Sequence, residues 1–416
     1  MHAPEFLPTP HIDRLEERGH MGIKKGLENI HALLGALGNP QSGYPVMLVG
    51  GTNGKGSTGA FLAHMLRASG LVVGWTTSPH FLHPRERIWI DGGPIGVGAL
   101  DLLLGEAFDA EARTGIQATY FELMITAALS AFRMTGVEVA ILEVGLGGRW
   151  DATNATEPML SVITNVGMDH QQHLGWTRES IGREKLCIAR DGHSLVLGPS
   201  IDPAWAQPLL EKHPRICPTP RLRAERMAFD HSIVQGHRVP LAGLHQVENL
   251  AIAFEATRQL SAFGFPIRED RLWKGVAETR WPGRLWKVPG LDNVWMDGAH
   301  NADGARVLAD HAVASGWRPH LMFGAMADKD LSAVGRELMR MGPRSLTYVR
   351  GDAPRYARFD DLFEAFGQDA PGITLQEAAR HLRAPSDQPR LVSGSLYLIG
   401  DLLRELGIDP WAEPSA

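Results

Sequence analysis

The stretch Val46-Met47-Leu48-Val49-Gly50-Gly51-Thr52-Asn53-Gly54-Lys55-Gly56-Ser57 decides the fold. A short apolar run ends in glycines. The residues that follow, Ser57–Ala68, place Phe61, Leu62, Met65 and Leu66 on one helical face. Strand, glycine-rich turn and helix in that order form a phosphate cradle. Glycines let backbone N–H groups turn inward, and the helix N-terminus adds partial positive charge. Lys55 supplies the full charge that outer phosphates need. The spacing departs from GxxxxGK[ST], because Val49 stands where the first glycine would be and Gly56 separates Lys55 from Ser57. A Gly-rich turn by itself is only a tight connection. The lysine and the strand–helix context make it a triphosphate site, with Asn53, Gly54, Lys55, Gly56 and Ser57 as the binding residues.

Working outward, short apolar runs alternate with longer helical patterns. Leu71–Trp75, Val137–Val144 and Leu160–Thr164 read as strands, and Tyr120–Met134 as a strong helix. Such alternation predicts an α/β fold with a mostly parallel sheet covered on both faces. Trp281-Pro282-Gly283-Arg284 is a turn-rich break. The alternation then restarts with Val294–Met296, the helix Ala302–Ala314 and the strand His320–Phe323. Two domains are expected, residues 1–282 and a smaller α/β domain at 283–416. Residues from about Arg215 to Arg238 read as a meander of short strands.

The bulk properties agree with this organisation. A chain of 416 residues is long enough for two or three cores. Its 44% hydrophobic and 21% charged content is ordinary for a globular protein. A net charge of −6 lacks the basic excess of a nucleic-acid binder. The two cysteines, Cys187 and Cys217, form no CxxC pair, which argues against a disulfide framework or a cysteine zinc site. Met1–Pro10 lacks the pattern of a signal peptide, and no apolar run reaches the roughly 20 residues of a membrane helix. The expected location is the cytoplasm, with no membrane partner.

A bound triphosphate calls for Mg2+, which takes hard oxygen ligands. Glu143 ends the strand Val137–Val144, where ligands of parallel sheets collect. Ser78, in Ser78-Pro79-His80, follows the strand Leu71–Trp75 on the same edge and offers a hydroxyl. Asp169-His170 follows the strand Leu160–Thr164; taken alone, His170 is as readily structural as a ligand. Asp297-Gly298-Ala299-His300-Asn301 again follows a strand and precedes a helix, and would have to meet the phosphate loop across a domain cleft. Lys185, in Glu184-Lys185-Leu186-Cys187, reads on chemistry alone as a solvated helix lysine.

Taken in order, Gly51–Ser57, Ser78-Pro79-His80, Phe121-Glu122, Glu143–Asn154, Thr164–His170, Glu184-Lys185, Arg284, Asp297–Asn301 and Ser393–Tyr397 resemble the folylpolyglutamate synthase/dihydrofolate synthase family, a branch of the Mur ligases. The most specific piece is Glu143-Val144-Gly145-Leu146-Gly147-Gly148-Arg149-Trp150-Asp151-Ala152-Thr153-Asn154. The resemblance covers nearly the whole chain. It implies a P-loop-containing Mur-ligase-like domain followed by a Rossmann-like α/β domain. It also implies an ATP-dependent amide ligase that joins L-glutamate to dihydropteroate, and also to tetrahydrofolate, through an acyl phosphate. Small molecules would be its only partners, and the chain would be a monomer.

The resemblance also assigns roles. Ser78, Glu143 and His170 would hold one Mg2+. Lys185 would be carbamylated and hold a second, which reverses the solvated-lysine reading. Asn249, Arg284 and Asp297 match ATP contacts, and His300 would sit near the transferred phosphate. Thr119, Tyr120, Phe121 and Glu122, with Trp150, Asp151 and Ala152, match segments that hold the pterin. Four positions depart from the family pattern: Trp150 replaces a usual Leu, Leu186-Cys187 a usual Ala-Gly, and Ala302 a usual Pro. Three other readings stand beside this one: a monofunctional member of the pair, a Mur ligase acting on cell-wall precursors, and an ATP-sensing module without catalysis. Gly56 and Ser78-Pro79-His80 favour the folate branch over the second. The Glu143, His170 and Lys185 segments weigh against the third.

Overall fold

The strand Val46–Gly50 is buried along its whole length, so both of its faces are covered. That is the condition under which a continuous apolar run becomes an interior strand of a parallel sheet. In the computed structural model, which describes residues 9–19 and 24–412, it lies between Val139–Glu143 and Leu160–Ile163, parallel to both. The full sheet has eight strands in the order Gly93–Pro94, Ile88–Ile90, Val73–Thr76, Val139–Glu143, Val46–Gly50, Leu160–Ile163, Ser194–Leu197 and Arg215–Pro218. The last six run parallel, and the first two are added antiparallel at one edge. Most of the stretch Met1–Pro10 lies outside the described residues. No helix among the described residues is long and apolar enough to cross a membrane.

Close approach of helices to this sheet depends on two glycines. A Cβ on Gly74 would sit 2.7 Å from the Phe132 ring, and one on Gly59 would sit 2.6 Å from the Trp75 indole nitrogen. The helix Tyr120–Met134 therefore rests directly on the strand Val73–Thr76. Its start is set by a capping box: the Glu122 N–H donates to Thr119 Oγ1, and the Thr119 N–H donates to Glu122 Oε2.

The chain divides into two compact units that are interleaved in sequence. The first comprises Met1–Ser78, His83–Pro220 and Ile252–Gly275; the second comprises Pro79–Leu82, Arg221–Ala251 and Val276–Ala416. A single cut near residue 282 does not describe this division, because Arg221–Ala251 packs with the later residues. The expected meander is present as three short antiparallel strands, Ala224–Met227, Ser232–Val234 and His237–Val239, while Arg215–Pro218 joins the large sheet. In the second unit, six strands are ordered Trp286–Lys287, Val294–Asp297, Arg390–Ser393, His320–Phe323, Ser345–Arg350 and Gly372–Thr374. All but the first pair are parallel.

The helix Pro10–Glu17 is fastened to the helix Val97–Thr114 by buried charge. Both Arg18 guanidinium nitrogens donate to the Glu111 carboxylate at 2.6 Å, and the Ala118 N–H donates to the same carboxylate. Burial works to raise the Glu111 pKa, but the Arg18 contacts win and hold it below the ordinary range. Its contribution to stability is therefore present at neutral pH and lost as pH falls through and below the carboxylate range. Arg18→Met is expected to lower unfolding free energy by about 3–5 kcal/mol, since it strands a buried carboxylate. Urea denaturation at neutral pH checks this, and the deficit relative to wild type should shrink on acidification.

Candidate functional site

Parallel register places the candidate residues of the first unit along one edge. Val49 lies level with Glu143 on one side and with Val162 on the other. The glycine loop, Glu143 and the segment beginning at Thr164 thus emerge together at the C-terminal ends of three adjacent strands, and Ser78 follows the fourth. This is where ligands bind in parallel sheets.

The loop is stitched to the segment beside it. The Thr52 N–H donates to Asn165 O, and the Asn53 N–H to Asn165 Oδ1. Thr52 Oγ1 donates to Gly167 O, and Thr164 Oγ1 donates to Asn53 O at 2.6 Å. Gly51 has φ +143, and a Cβ there would lie 1.9 Å from Thr164 Oγ1, so no other residue fits. Gly54 is left-handed and starts the helix Lys55–Ala68, two residues earlier than the periodicity indicates. Lys55 Nζ folds back and donates to Gly51 O and Thr52 O. The Ser57 hydroxyl is buried without a partner, in a residue 1% exposed, at the start of this helix. An orphaned hydroxyl there suits a phosphate oxygen or a cation.

Glu143 is 5% exposed and accepts a hydrogen bond from Thr77 Oγ1, while its N–H donates to Thr76 Oγ1. Ser78 is half-buried one residue beyond Thr77. His170 is exposed, in left-handed backbone at φ 52, and its N–H donates to Asp169 Oδ1. Among the described residues no three His, Cys, Asp or Glu side chains converge as a metal cage. That pattern still fits Mg2+, which is held by one or two carboxylates with hydroxyls and substrate phosphates supplying the rest. Glu143 and the Ser57 and Ser78 hydroxyls offer oxygen donors of that kind along this edge, and His170 follows the neighbouring strand.

Lys185 ends the helix Arg178–Leu186 and is 4% exposed, which overturns the solvated-lysine reading. Its Nζ donates to Gly51 O at 3.0 Å. Burial pulls its pKa down to about 7, the Lys55 charge adds to this, and Asp169 and Asp151 oppose it. A sizeable share of the amine is therefore neutral and nucleophilic near neutral pH. Leu186-Cys187 does not crowd it: Leu186 is buried in the main core, and Cys187 turns its Sγ to Arg183 O.

The segments matched to a pterin have mixed geometry. Asp151 accepts from the Gly145 and Leu146 N–H groups and from the Thr153 N–H and hydroxyl. Burial raises its pKa against those hydrogen bonds. Both oxygens are thus engaged within the chain, as are Thr119 and Glu122 in their capping box, and Ala152 is buried. Tyr120 is buried beneath the Arg87 guanidinium. Phe121 lines a small pocket together with Thr76, Thr77, Arg87, Met124, Ile125 and Glu143. Trp150 is 44% exposed. Arg87 was not singled out from the sequence, and Thr164 and Asn165 entered only as part of the Thr164–His170 motif with no role of their own; tertiary proximity gives all three a place.

In the second unit, Asp297 ends its strand and accepts from the Leu285 and Ala299 N–H groups. Burial raises its pKa, opposed by the Arg284 charge. His300 Nδ1 donates to Gly298 O, so in the neutral ring Nε2 is the basic nitrogen. Asn301 caps the helix Ala302–Ser315 through Gly304 N–H, so Ala302 serves without proline. Asn249 Nδ2 donates to Gln246 Oε1. His245, which the sequence reading passed over, has its pKa lowered to about 3 by burial and by the His311 and Arg284 charges.

The fold is of the Mur-ligase kind: residues 49–197 match the family described as the Mur ligase middle domain. The full-length likenesses are narrower. The chain is 32% identical to a probable dihydrofolate synthetase of Schizosaccharomyces pombe, over 94% of this chain and 100% of that one. It is 31% identical to the dihydrofolate synthase/folylpolyglutamate synthase of Bacillus subtilis, over 92% and 96%. The structure of Escherichia coli FolC in complex with DHPP and ADP superposes with a TM-score of 0.82 at 29% identity, covering 95% of this chain and 96% of that one. The chain belongs to the dihydrofolate synthase/folylpolyglutamate synthase family.

The packing at Gly51 sets a direct test. Gly51→Ala is expected to force the loop away from Thr164 and to weaken ADP binding at least about tenfold, the effect of losing about 1.4 kcal/mol of binding free energy. Calorimetric titration reads it, and wild-type affinity would contradict the packing described.

Proposed function

We infer that this chain is an ATP-dependent ligase that joins L-glutamate to dihydropteroate and also extends tetrahydrofolate. The observation that carries the reading is the shared edge of the first unit, where a phosphate loop, a buried carboxylate and a buried lysine with near-neutral pKa converge. The relatives' names and the ADP-bound neighbour support it.

In this reading the substrate carboxylate attacks the γ-phosphorus of ATP, ADP leaves, and an acyl phosphate forms. The glutamate amine then attacks the acyl carbon, phosphate departs, and the amine sheds a proton. The loop N–H groups and the helix beginning at Lys55 hold the phosphates, with Lys55 leaving its backbone carbonyls to do so. Ser78, Glu143 and His170 would hold one Mg2+, and Lys185 as a carbamate a second; bound there, the ions would neutralise charge between two anions. Phe121 and Trp150 supply aromatic surface for the pterin and aryl groups. In the second unit, Asn249, Arg284 and Asp297 are assigned to the nucleotide. His300, with Nε2 basic, is assigned to the transferred phosphate. We place the protein in the cytoplasm as a monomer.

Phosphate release should require ATP, glutamate and a pterin acid together, and should occur with dihydropteroate and with tetrahydrofolate. Release with neither acceptor overturns the assignment; release with only one makes the enzyme monofunctional. Lys185→Ala should abolish turnover and leave ATP affinity within about threefold of wild type, a shift under about 0.7 kcal/mol. Full activity in that variant would remove the carbamate from the mechanism.

A further inference from the structure

In the second unit the segment Ser393–Tyr397 lies beside His300, and strand register explains why. Ser393 is level with Asp297 on the neighbouring parallel strand, so Gly394-Ser395-Leu396 leaves the sheet next to Gly298-Ala299-His300. Gly394, at φ +116, makes the turn. Ser395 Oγ then caps the helix Leu396–Leu406 by accepting from the Tyr397 N–H. Half-buried Leu396 is thereby fixed at the first position of that helix.

The Leu396 side chain lies on two glycines at once. A Cβ on Gly298 would overlap Leu396 Cδ2 and come within 2.7 Å of Leu396 Cγ. A Cβ on Gly283 would lie 3.2 Å from the same Cδ2, and 2.9 Å from Cζ of Phe81, which belongs to the same unit. The two glycines are also joined to each other: the Gly298 N–H donates to Gly283 O at 2.9 Å. Gly298 O in turn accepts from His300 Nδ1 at 2.9 Å. One apolar side chain therefore covers both halves of a backbone contact that ends on the histidine ring.

We propose that Leu396 is a positioning residue for His300, an apolar clamp that keeps the proton on Nδ1 and the lone pair on Nε2. This rests on the assignment of His300 to the transferred phosphate given above. Gly283 and Gly298 have no side chains of their own to hold their backbones in register, and Leu396 supplies that surface. Gly298 O then stays within reach of Nδ1–H. A neutral imidazole whose Nδ1–H is engaged keeps its lone pair on Nε2. A proton taken up at Nε2 leaves the bond to Gly298 O intact, so the ring does not turn between its neutral and charged forms. Trimming Leu396 opens space over both glycines. Gly298 O can then shift, and either ring nitrogen can carry the proton.

The tautomer is read without turnover, by long-range 1H–15N correlation on the full-length protein labelled with 15N-histidine. Measurement at pH about 8.5, above the ordinary histidine range, samples the neutral ring. The signal that His300→Gln removes should show the Nδ1–H form in the wild type. Leu396→Ala should lower the ratio of Nδ1–H to Nε2–H forms at least about threefold, the size of a lost neutral hydrogen bond. Leu396→Met, which keeps the volume, should stay within about twofold of wild type. Leu396→Val lacks the δ-carbon that meets both glycines; it should behave as Leu396→Ala and serves in its place if that variant does not fold. Leu403→Ala separates positioning from general loosening. Leu403 is fully buried in the same helix and core, so this variant should lose more thermal stability yet keep the wild-type ratio. A wild-type ratio in folded Leu396→Ala or Leu396→Val overturns the proposal, as does an equal shift in Leu403→Ala. An Nε2–H ring in the wild type overturns the hydrogen bond on which it stands. Full turnover in His300→Gln instead removes His300 from the reaction, and the clamp then has no catalytic purpose whatever the tautomer.

Discussion

The parallel register of Val46–Gly50 with its two neighbours is the constraint on which the first unit's site depends. Because Val49 is level with both Glu143 and Val162, three chain segments far apart in sequence leave the sheet at one height. A slip of one residue would turn every side chain of the strand to the opposite face. It would also carry Gly51 O away from Lys185 and the Thr52 N–H away from Asn165. The burial of Val46–Gly50 on both faces thus does more than hold a core together: it sets the height at which charges meet.

Much of this was legible in the chain. Apolar runs of four to eight residues bounded by glycine marked the central strands, since a buried parallel strand has no polar face to show. Where boundaries moved, they moved by one or two residues. The notable shift is at the phosphate loop, where Lys55 proves to be inside the helix because left-handed Gly54 starts it. The meander near Arg215–Arg238 was legible as short strands, but not the departure of Arg215–Pro218 to the large sheet. Strand partners separated by long loops leave no mark in local periodicity.

The candidate site divides in the same manner. Lys55, Ser57 and Glu143 were visible because their local context, at the end of a strand or the start of a helix, is itself the signal. Lys185 was misread on chemistry alone because a single lysine in a polar helix looks solvated, and its burial comes from a loop 134 residues earlier in the chain. Asn165 and Thr164, quoted within the motif Thr164–His170, were given no role for a similar reason. Their side chains bond to the backbone of the phosphate loop, and an Asn or Thr after a strand has many commoner uses. Asp151 illustrates the reverse: a residue matched to a ligand by motif has its carboxylate engaged in holding Gly145 and Leu146 in place.

Gly148 shows what kind of change this architecture tolerates. A Cβ there would lie 2.6 Å from Glu184 O and 2.9 Å from Lys185 O, and the Arg149 N–H donates to Glu184 O. The end of the lysine helix is thus docked on main chain, not on the side chains around it. Sequence drift can then rewrite Cys187 or Trp150 while Lys185 Nζ stays where it is. A single methyl group at Gly148 would displace it. Diversity in such a protein is therefore expected to accumulate in large residues at the rim, with its glycines the slowest positions to change.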